Sequence, residues 1–220
     1  MKKTSPGISL EGLPIIGLSV LLTLTFAFLG WVFWAFLCFL LTAFIGHFFR
    51  DPERVAPAGP GLAVSPADGR VVRVGRTKDP VSGEERQSVS IFMNVFDVHV
   101  NRSPVRGKIS QIKYFPGKFL NASLDKASEE NERNLLSLED DEGRTWTVVQ
   151  IAGLVARRIV CWVEEGDAVA RGQRVGLIKF GSRVDLYIPD EYTSTVVMGQ
   201  KVYAGQTITA KKGDSKDKDG

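Results

Sequence analysis

The side chains of this chain that can do covalent chemistry are a serine next to a glycine, an isolated histidine and an aspartate in a tight turn. Ser182 follows Gly181 between two apolar, alternating segments near the end of the 220 residues. Glycine takes backbone angles closed to other residues, so a strained peptide bond is tolerated at Gly181. A hydroxyl beside that bond can attack its carbonyl once a base removes the proton. The ordinary reading of a Gly-Ser pair is a bulge or turn between strands. His99 is one of two histidines, and the other, His47, lies in an apolar run. A base working near neutral pH is therefore His99 by default. Asp68, in Ser65-Pro66-Ala67-Asp68-Gly69-Arg70, reads first as a turn residue. Asp, His and Ser from three separate segments can form a triad on any fold, because geometry defines it. Almost any β protein offers such a trio, so the residues alone leave both readings open.

Other candidates are weaker. Asp125-Lys126-Ala127 is similar to the modified-lysine motif of lipoyl carriers, but it lies in a polar stretch rather than at a hairpin tip. Arg50, Arg102, Arg157 and Arg158 can bind phosphate or stay solvated. Cys38 and Cys161 have neither the number nor the spacing of a disulfide frame or a metal site. The net charge of +3 is mild and scattered, which argues against nucleic acid.

Two blocks must position these residues. From Leu13 to Phe49 there is no Asp, Glu, Lys or Arg. One straight helix of that length would reach roughly 55 Å against a hydrocarbon core of about 30 Å. Gly30 divides the run into two short apolar helices, 13–29 and 31–49, within an anchor spanning 1–54. Lys2 and Lys3 precede the run and Arg50 and Arg54 follow it, which places both ends on the cytoplasmic side. Residues 56–61 form a linker with Pro57 and Pro60.

Beyond residue 62 the pattern is short strands: 71–74, 88–95, 108–114, 145–152, 158–163, 175–178 and 183–189. The stretch 163–176 repeats a Gly-Asp turn, a valine and a Gly-Gln turn, with echoes at 67–72 and 201–209. That rhythm recurs in biotinyl and lipoyl domains. The expected fold is therefore mainly β, a barrel-sandwich (biotinyl/lipoyl-like) antiparallel core over 62–210, with an N-terminal hydrophobic helical hairpin. Residues 125–134 read as a non-strand insert, and 211–220 as a disordered tail.

Taken in order, the segments resemble the short, membrane-associated form of phosphatidylserine decarboxylase over residues 46–210. The series is Phe48-Phe49-Arg50-Asp51-Pro52, then Ser65-Pro66-Ala67-Asp68-Gly69, then Asn94-Val95-Phe96-Asp97-Val98-His99-Val100-Asn101. Pro116-Gly117-Lys118-Phe119, Asn121-Ala122, Asp125-Lys126-Ala127-Ser128 and Asn131-Glu132-Arg133 follow. Gln150-Ile151-Ala152-Gly153, Ala156-Arg157-Arg158-Ile159 and Phe180-Gly181-Ser182 close it.

The resemblance implies a proenzyme that cuts itself between Gly181 and Ser182. His99, oriented by Asp68, would activate the Ser182 hydroxyl. The products would be a β chain, 1–181, and an α chain, 182–220, that stay associated. Ser182 would become a covalent pyruvoyl group, the cofactor, and no metal is implied. The implied reaction converts phosphatidylserine to phosphatidylethanolamine and carbon dioxide, with His99 as candidate proton donor to the substrate carbon. Longer bacterial forms carry a second histidine where this chain has Arg102, so the division of proton transfers stays open. The implied partners are the phospholipid membrane and phosphatidylserine, at the cytoplasmic face of the inner membrane, with a homo-oligomer left open. Phe48, Phe49 and residues 121–134 are the expected mouth for the headgroup. The competing reading is a membrane-anchored barrel-sandwich adaptor of a secretion or efflux system, which would not cut itself.

Overall fold

A computed structural model describes residues 7–118, 130–153, 158–179 and 181–213. The chain divides into two compact units, Met1–Glu53 and Arg54–Gly220.

The first unit is a helical hairpin, α1 (Leu13–Phe28) and α2 (Val32–Phe48), preceded by a 3₁₀ turn at Leu10–Gly12. Gly30 makes the turn between them at φ 74°. Each helix ends within a residue of the expected limits, because only Leu29–Trp31 is spent on the reversal. Thr23 and Thr42 face each other with hydroxyls 3.4 Å apart, and Phe26 stacks on Trp31. The open end is closed by backbone bonds from Ser9 N–H to Phe49 O and from Asp51 N–H to Gly7 O. Leu21, Leu24, Phe33 and Phe36 point outward and are more than half exposed. The segment Leu10–Phe28 is long and apolar enough to cross a membrane, whereas Val32–Phe48 is a shorter apolar helix. Such a surface suits hydrocarbon, where a helix satisfies its own backbone.

The second unit is mainly β. Its strands are β1 (Leu62–Val64), β2 (Gly69–Lys78), β3 (Glu85–Met93), β4 (Val100–Arg102), β5 (Gly107–Phe115), β6 (Arg133–Asp140) and β7 (Thr145–Ala152). There follow β8 (Ile159–Cys161), β9 (Ala168–Val169), β10 (Arg174–Ile178), β11 (Ser182–Ile188), β12 (Tyr192–Ser194), β13 (Lys201–Val202) and β14 (Ile208–Lys212). Eight form a curled antiparallel sheet in the order β13-β2-β3-β11-β7-β6-β5-β9. Two three-stranded sheets, β1-β14-β12 and β4-β10-β8, accompany it.

Strand β11 lies between β3 and β7, and all seven of its residues are buried. Val184, Leu186 and Ile188 join the main core with Val89, Ile91, Met93, Trp146 and Val148. Tyr187 points the other way, into a smaller cluster with Leu135, Val149 and Ile151. Ser182 shares the first face by alternation, and Arg183 and Asp185 share the second.

The Gly-Asp and Gly-Gln rhythm is visible as turns of one kind. Asp167 accepts from Glu164 N–H, and the Gln173 side chain accepts from Ala170 N–H. The same pattern recurs at Gln200 over Val197 and at Asp97 over Asn94. In each, a side chain three residues on satisfies the first backbone donor of the turn.

Two expectations need correcting. Arg133 and Asn134, read as part of a non-strand insert, open β6 and pair with Phe115 and Tyr114. Lys211 and Lys212, read as part of a disordered tail, belong to β14. Lys126, Arg157, Phe180 and residues 119–129 and 214–220 lie outside the described residues.

Candidate functional site

Ser182 opens β11, with Met93 of β3 opposite on one side and Ala152 of β7 on the other. Its hydroxyl is fully buried and meets no hydrogen-bond partner among the described residues. Leaving a buried hydroxyl unsatisfied costs about 1–3 kcal/mol, so structure alone gives no reason for a serine here. Gly181 sits at φ 53°, a left-handed conformation that costs a residue with a Cβ about 1–2 kcal/mol. A Cβ on Gly181 would meet open space, so the backbone angle, not crowding, is what asks for glycine.

His99 is fully buried one residue before β4. Its Nδ1 lies 3.0 Å from the Asp97 carbonyl oxygen, which fixes the tautomer: Nδ1–H donates and Nε2 is the basic nitrogen. Strand β4 pairs with β10 so that Asn101 faces Gly176 and Val100 faces Leu177. Ile178 N–H donates to the His99 carbonyl, four residues before Ser182. The histidine is thus brought to the stretch that leads into the Gly181–Ser182 bond.

Asp68 is buried immediately before β2. One carboxylate oxygen accepts from Arg54 Nη1 and from Ala204 N–H, the other from Arg54 Nη2 at 2.9 Å. Arg54 Nη1 also donates to the Ala204 carbonyl. Asp68, expected to orient His99, is engaged by Arg54 and the Ala204 N–H, and the Asp97 backbone carbonyl holds Nδ1 of His99. Asp68 still stands at the same end of the sheet, because Arg70 pairs with Phe92 and Ser182 with Met93.

A chain of buried amides on the Ser182 face went unrecognised in the sequence. Asn134 Nδ2 donates to Gln150 Oε1 at 3.0 Å, and Gln150 Nε2 donates to Asn101 Oδ1 at 2.8 Å. Asn101 Nδ2 then points at the Met93 sulfur, 3.8 Å away. A thioether is a weak acceptor, so the chain ends in a strong donor with a poor partner beside Ser182. Gly176 makes room for it, since a Cβ there would strike the Val160 carbonyl and come within 3.0 Å of Gln150 Nε2. The available signal was phase: the inward positions of β7 read Trp146, Val148, Gln150, Ala152, with one amide among apolar residues. Asn131, whose Nδ2 donates to the Ala152 carbonyl, holds the neighbouring strand end.

Arg102, a phosphate candidate, is buried and donates from Nη1 to the Gly172 carbonyl at 2.9 Å, a structural use. Arg50 Nη1 donates to the His47 carbonyl in the first unit. Among the described residues no cluster of His, Cys, Asp or Glu can hold a metal ion.

A family model described as phosphatidylserine decarboxylase matches residues 41–210. The chain belongs to the phosphatidylserine decarboxylase family. A phosphatidylserine decarboxylase proenzyme of Nitratidesulfovibrio vulgaris is 61% identical over 212 residues, covering 96% of this chain and 98% of its own. One from Solidesulfovibrio magneticus is 56% identical over 214 residues, covering 97% and 100%. One from Burkholderia ambifaria is 49% identical over 215 residues, covering 96% and 98%. Membership carries a carboxy-lyase activity that yields phosphatidylethanolamine, with the pyruvoyl-dependent chemistry typical of the family. The apolar helix at Leu10–Phe28 agrees with membrane association.

Proposed function

We propose that this chain matures by cutting itself between Gly181 and Ser182 and then decarboxylates phosphatidylserine at the new amino terminus. The observation that carries this reading is the buried, unsatisfied Ser182 hydroxyl beside a left-handed Gly181. Nε2 of His99 takes the hydroxyl proton, and Oγ attacks the Gly181 carbonyl carbon. The peptide C–N bond breaks as the amine takes a proton, leaving an ester between Gly181 and Ser182 Oγ. Loss of the Ser182 α-proton then expels the Gly181 carboxylate and leaves a dehydroalanine, which water converts to a pyruvoyl group with release of ammonia.

These residues fit that group: residue 182 is buried between two strands, next to a preset donor, with His99 held in one tautomer. When formed, a pyruvoyl carbonyl supplies an electron sink for the pair left by departing carbon dioxide. Asn101 Nδ2 offers a hydrogen bond to an oxygen arriving beside residue 182, and the Gln150–Asn134 chain keeps it aimed there. His99 is placed to return a proton to the substrate carbon. Asp68 holds Arg54 and the turn at Ala204, which keeps the end of the sheet in register. The β chain, 1–181, and the α chain, 182–220, stay together, because β11 is bonded on both sides to strands of the β chain.

The turn rhythm at Asp97, Asp167, Gln173 and Gln200 supports a barrel-sandwich ancestry for the catalytic unit. The basic residues at both ends of the apolar run support an anchor, 1–54, that holds this unit at the cytoplasmic side of the inner membrane. The intact mass of the denatured protein tests the proposal. Two chains, 1–181 and a pyruvoyl-blocked 182–220, are expected, and Ser182→Ala should leave one chain with no activity. A single unbroken chain in folded, active wild-type protein would overturn it.

A further inference from the structure

On the sheet face away from Ser182 the strands enclose a cavity of about 300 Å³. Alternation along β11 sends Val184, Leu186 and Ile188 to the main core and Arg183, Asp185 and Tyr187 to this cavity. The sheet itself separates the cavity from the Gly181–Ser182 bond, so it is not the place where the substrate reacts. Its size is at the lower end of the range for small-molecule sites.

Four cations line it, Arg73, Lys78, Arg133 and Arg183, against two carboxylates, Asp79 and Asp185. Both carboxylates are already engaged. Asp185 accepts from Arg183 at 2.6 and 3.0 Å. Asp79 accepts from Thr147 Oγ1 at 3.1 Å and Val81 N–H at 2.8 Å, and lies 3.4 Å from Arg86 Nη1. The half-buried Arg73 side chain has no hydrogen bond or ion pair with any described residue, and the same holds for the exposed Lys78 side chain at the rim. The Tyr187 hydroxyl also makes no hydrogen bond to a described residue. Burial above all, then the Asp185 and Asp79 charges, push its pKa up to about 12, so it always has a proton to donate. Leu135 and Val149 supply an apolar wall.

The cavity therefore offers donors and positive charge in excess of its acceptors, next to a small apolar surface. Its matching ligand is an anion that only accepts hydrogen bonds and carries a short carbon skeleton. We propose that this cavity is an accessory site for a phosphate ester, bound by Arg73 and the Tyr187 hydroxyl with Lys78 at its mouth. A lipid headgroup and a soluble phosphate ester share this chemistry.

The test uses full-length, self-processed protein in neutral detergent and two probes, sn-glycerol 3-phosphate and dihexanoyl phosphatidylglycerol, titrated by calorimetry. At least one should bind saturably. Arg73→Gln and Tyr187→Phe should each weaken that binding tenfold or more, while self-cleavage and carbon dioxide release in detergent stay as in the wild type. Tighter binding of dihexanoyl phosphatidylglycerol assigns the lipid source, and tighter binding of glycerol 3-phosphate the soluble one. Failure of both probes to saturate overturns the proposal, as does equal binding in Arg73→Gln. If that variant does not fold, Lys78→Gln at the exposed rim must show weakened binding, and unchanged affinity there overturns the proposal equally.

Discussion

Gln150 Nε2 donates a 2.8 Å hydrogen bond to Asn101 Oδ1, and this bond turns the Asn101 amide donor toward Met93, directly across from Ser182. Asn101→Asp changes little in volume but replaces the donor with an acceptor and a charge. Self-cleavage and decarboxylation are both expected to slow by about 10²–10³-fold, the range for losing one aimed donor to a developing oxyanion. Conversion of precursor to two chains, followed by gel over time, reads the first step, and carbon dioxide release reads the second. Unchanged rates of both in a folded variant would leave the amide chain a purely structural device.

Asp68 and Arg54 form a buried ion pair, with side chains 5% and 7% exposed. Removing one partner strands the other's charge, at about 3–5 kcal/mol. Arg54→Met and Asp68→Asn should each lower unfolding free energy by that amount. The double variant should recover much of the loss, because no buried charge then lacks a partner. Denaturant unfolding of all four proteins measures the coupling. Additive losses would mean that Asp68 draws its support from elsewhere in the site.

The candidate site residues were easier to single out in the sequence than the supports around them. Gly181, Ser182 and His99 stand out because glycine freedom, a nucleophile and a lone base are properties of single residues. Arg54 gave no sign of its role, since a proline-containing linker separates it from Asp68 in the chain and only folding joins them. Strand β6 was hidden for another reason. Arg133-Asn134-Leu135-Leu136-Ser137-Leu138 has both faces buried, which erases the alternation that marks a half-exposed strand. Its leucines also favour helix as readily as strand. The two apolar helices were legible in the sequence, because an unbroken run of apolar residues has one requirement along its whole length.

Tyr187 gives the fold an alkaline limit. Its folded pKa of about 12 stands above the ordinary 10.0, so the folded state favours the protonated phenol. The stabilisation is complete below pH 10 and is lost as pH rises from 10 through 12, about 3 kcal/mol for a shift of that size. Unfolding free energy measured between pH 8 and 12 should fall across that window. Tyr187→Phe should flatten the fall, and an identical alkaline decline in the variant would assign it to other groups.

The anchor is expected to matter for where the enzyme finds its substrate and not for its chemistry. Residues 54–220 contain the strands, the main core and the Arg54–Asp68 pair. A chain lacking residues 1–53 should therefore stay in solution without detergent and still cut itself. A diacyl lipid leaves the bilayer at about 0.8 kcal/mol for each CH₂ exposed, so an unanchored enzyme must reach a headgroup that remains at the surface. Losing the tether removes a high effective concentration, commonly worth 10² or more. Turnover of phosphatidylserine in vesicles should drop about 10²-fold, while a short-chain, water-soluble phosphatidylserine should react at close to the full-length rate. Equal loss on both substrates would mean that the helices shape the catalytic unit itself, and equal retention on both would mean that the β unit binds membranes unaided.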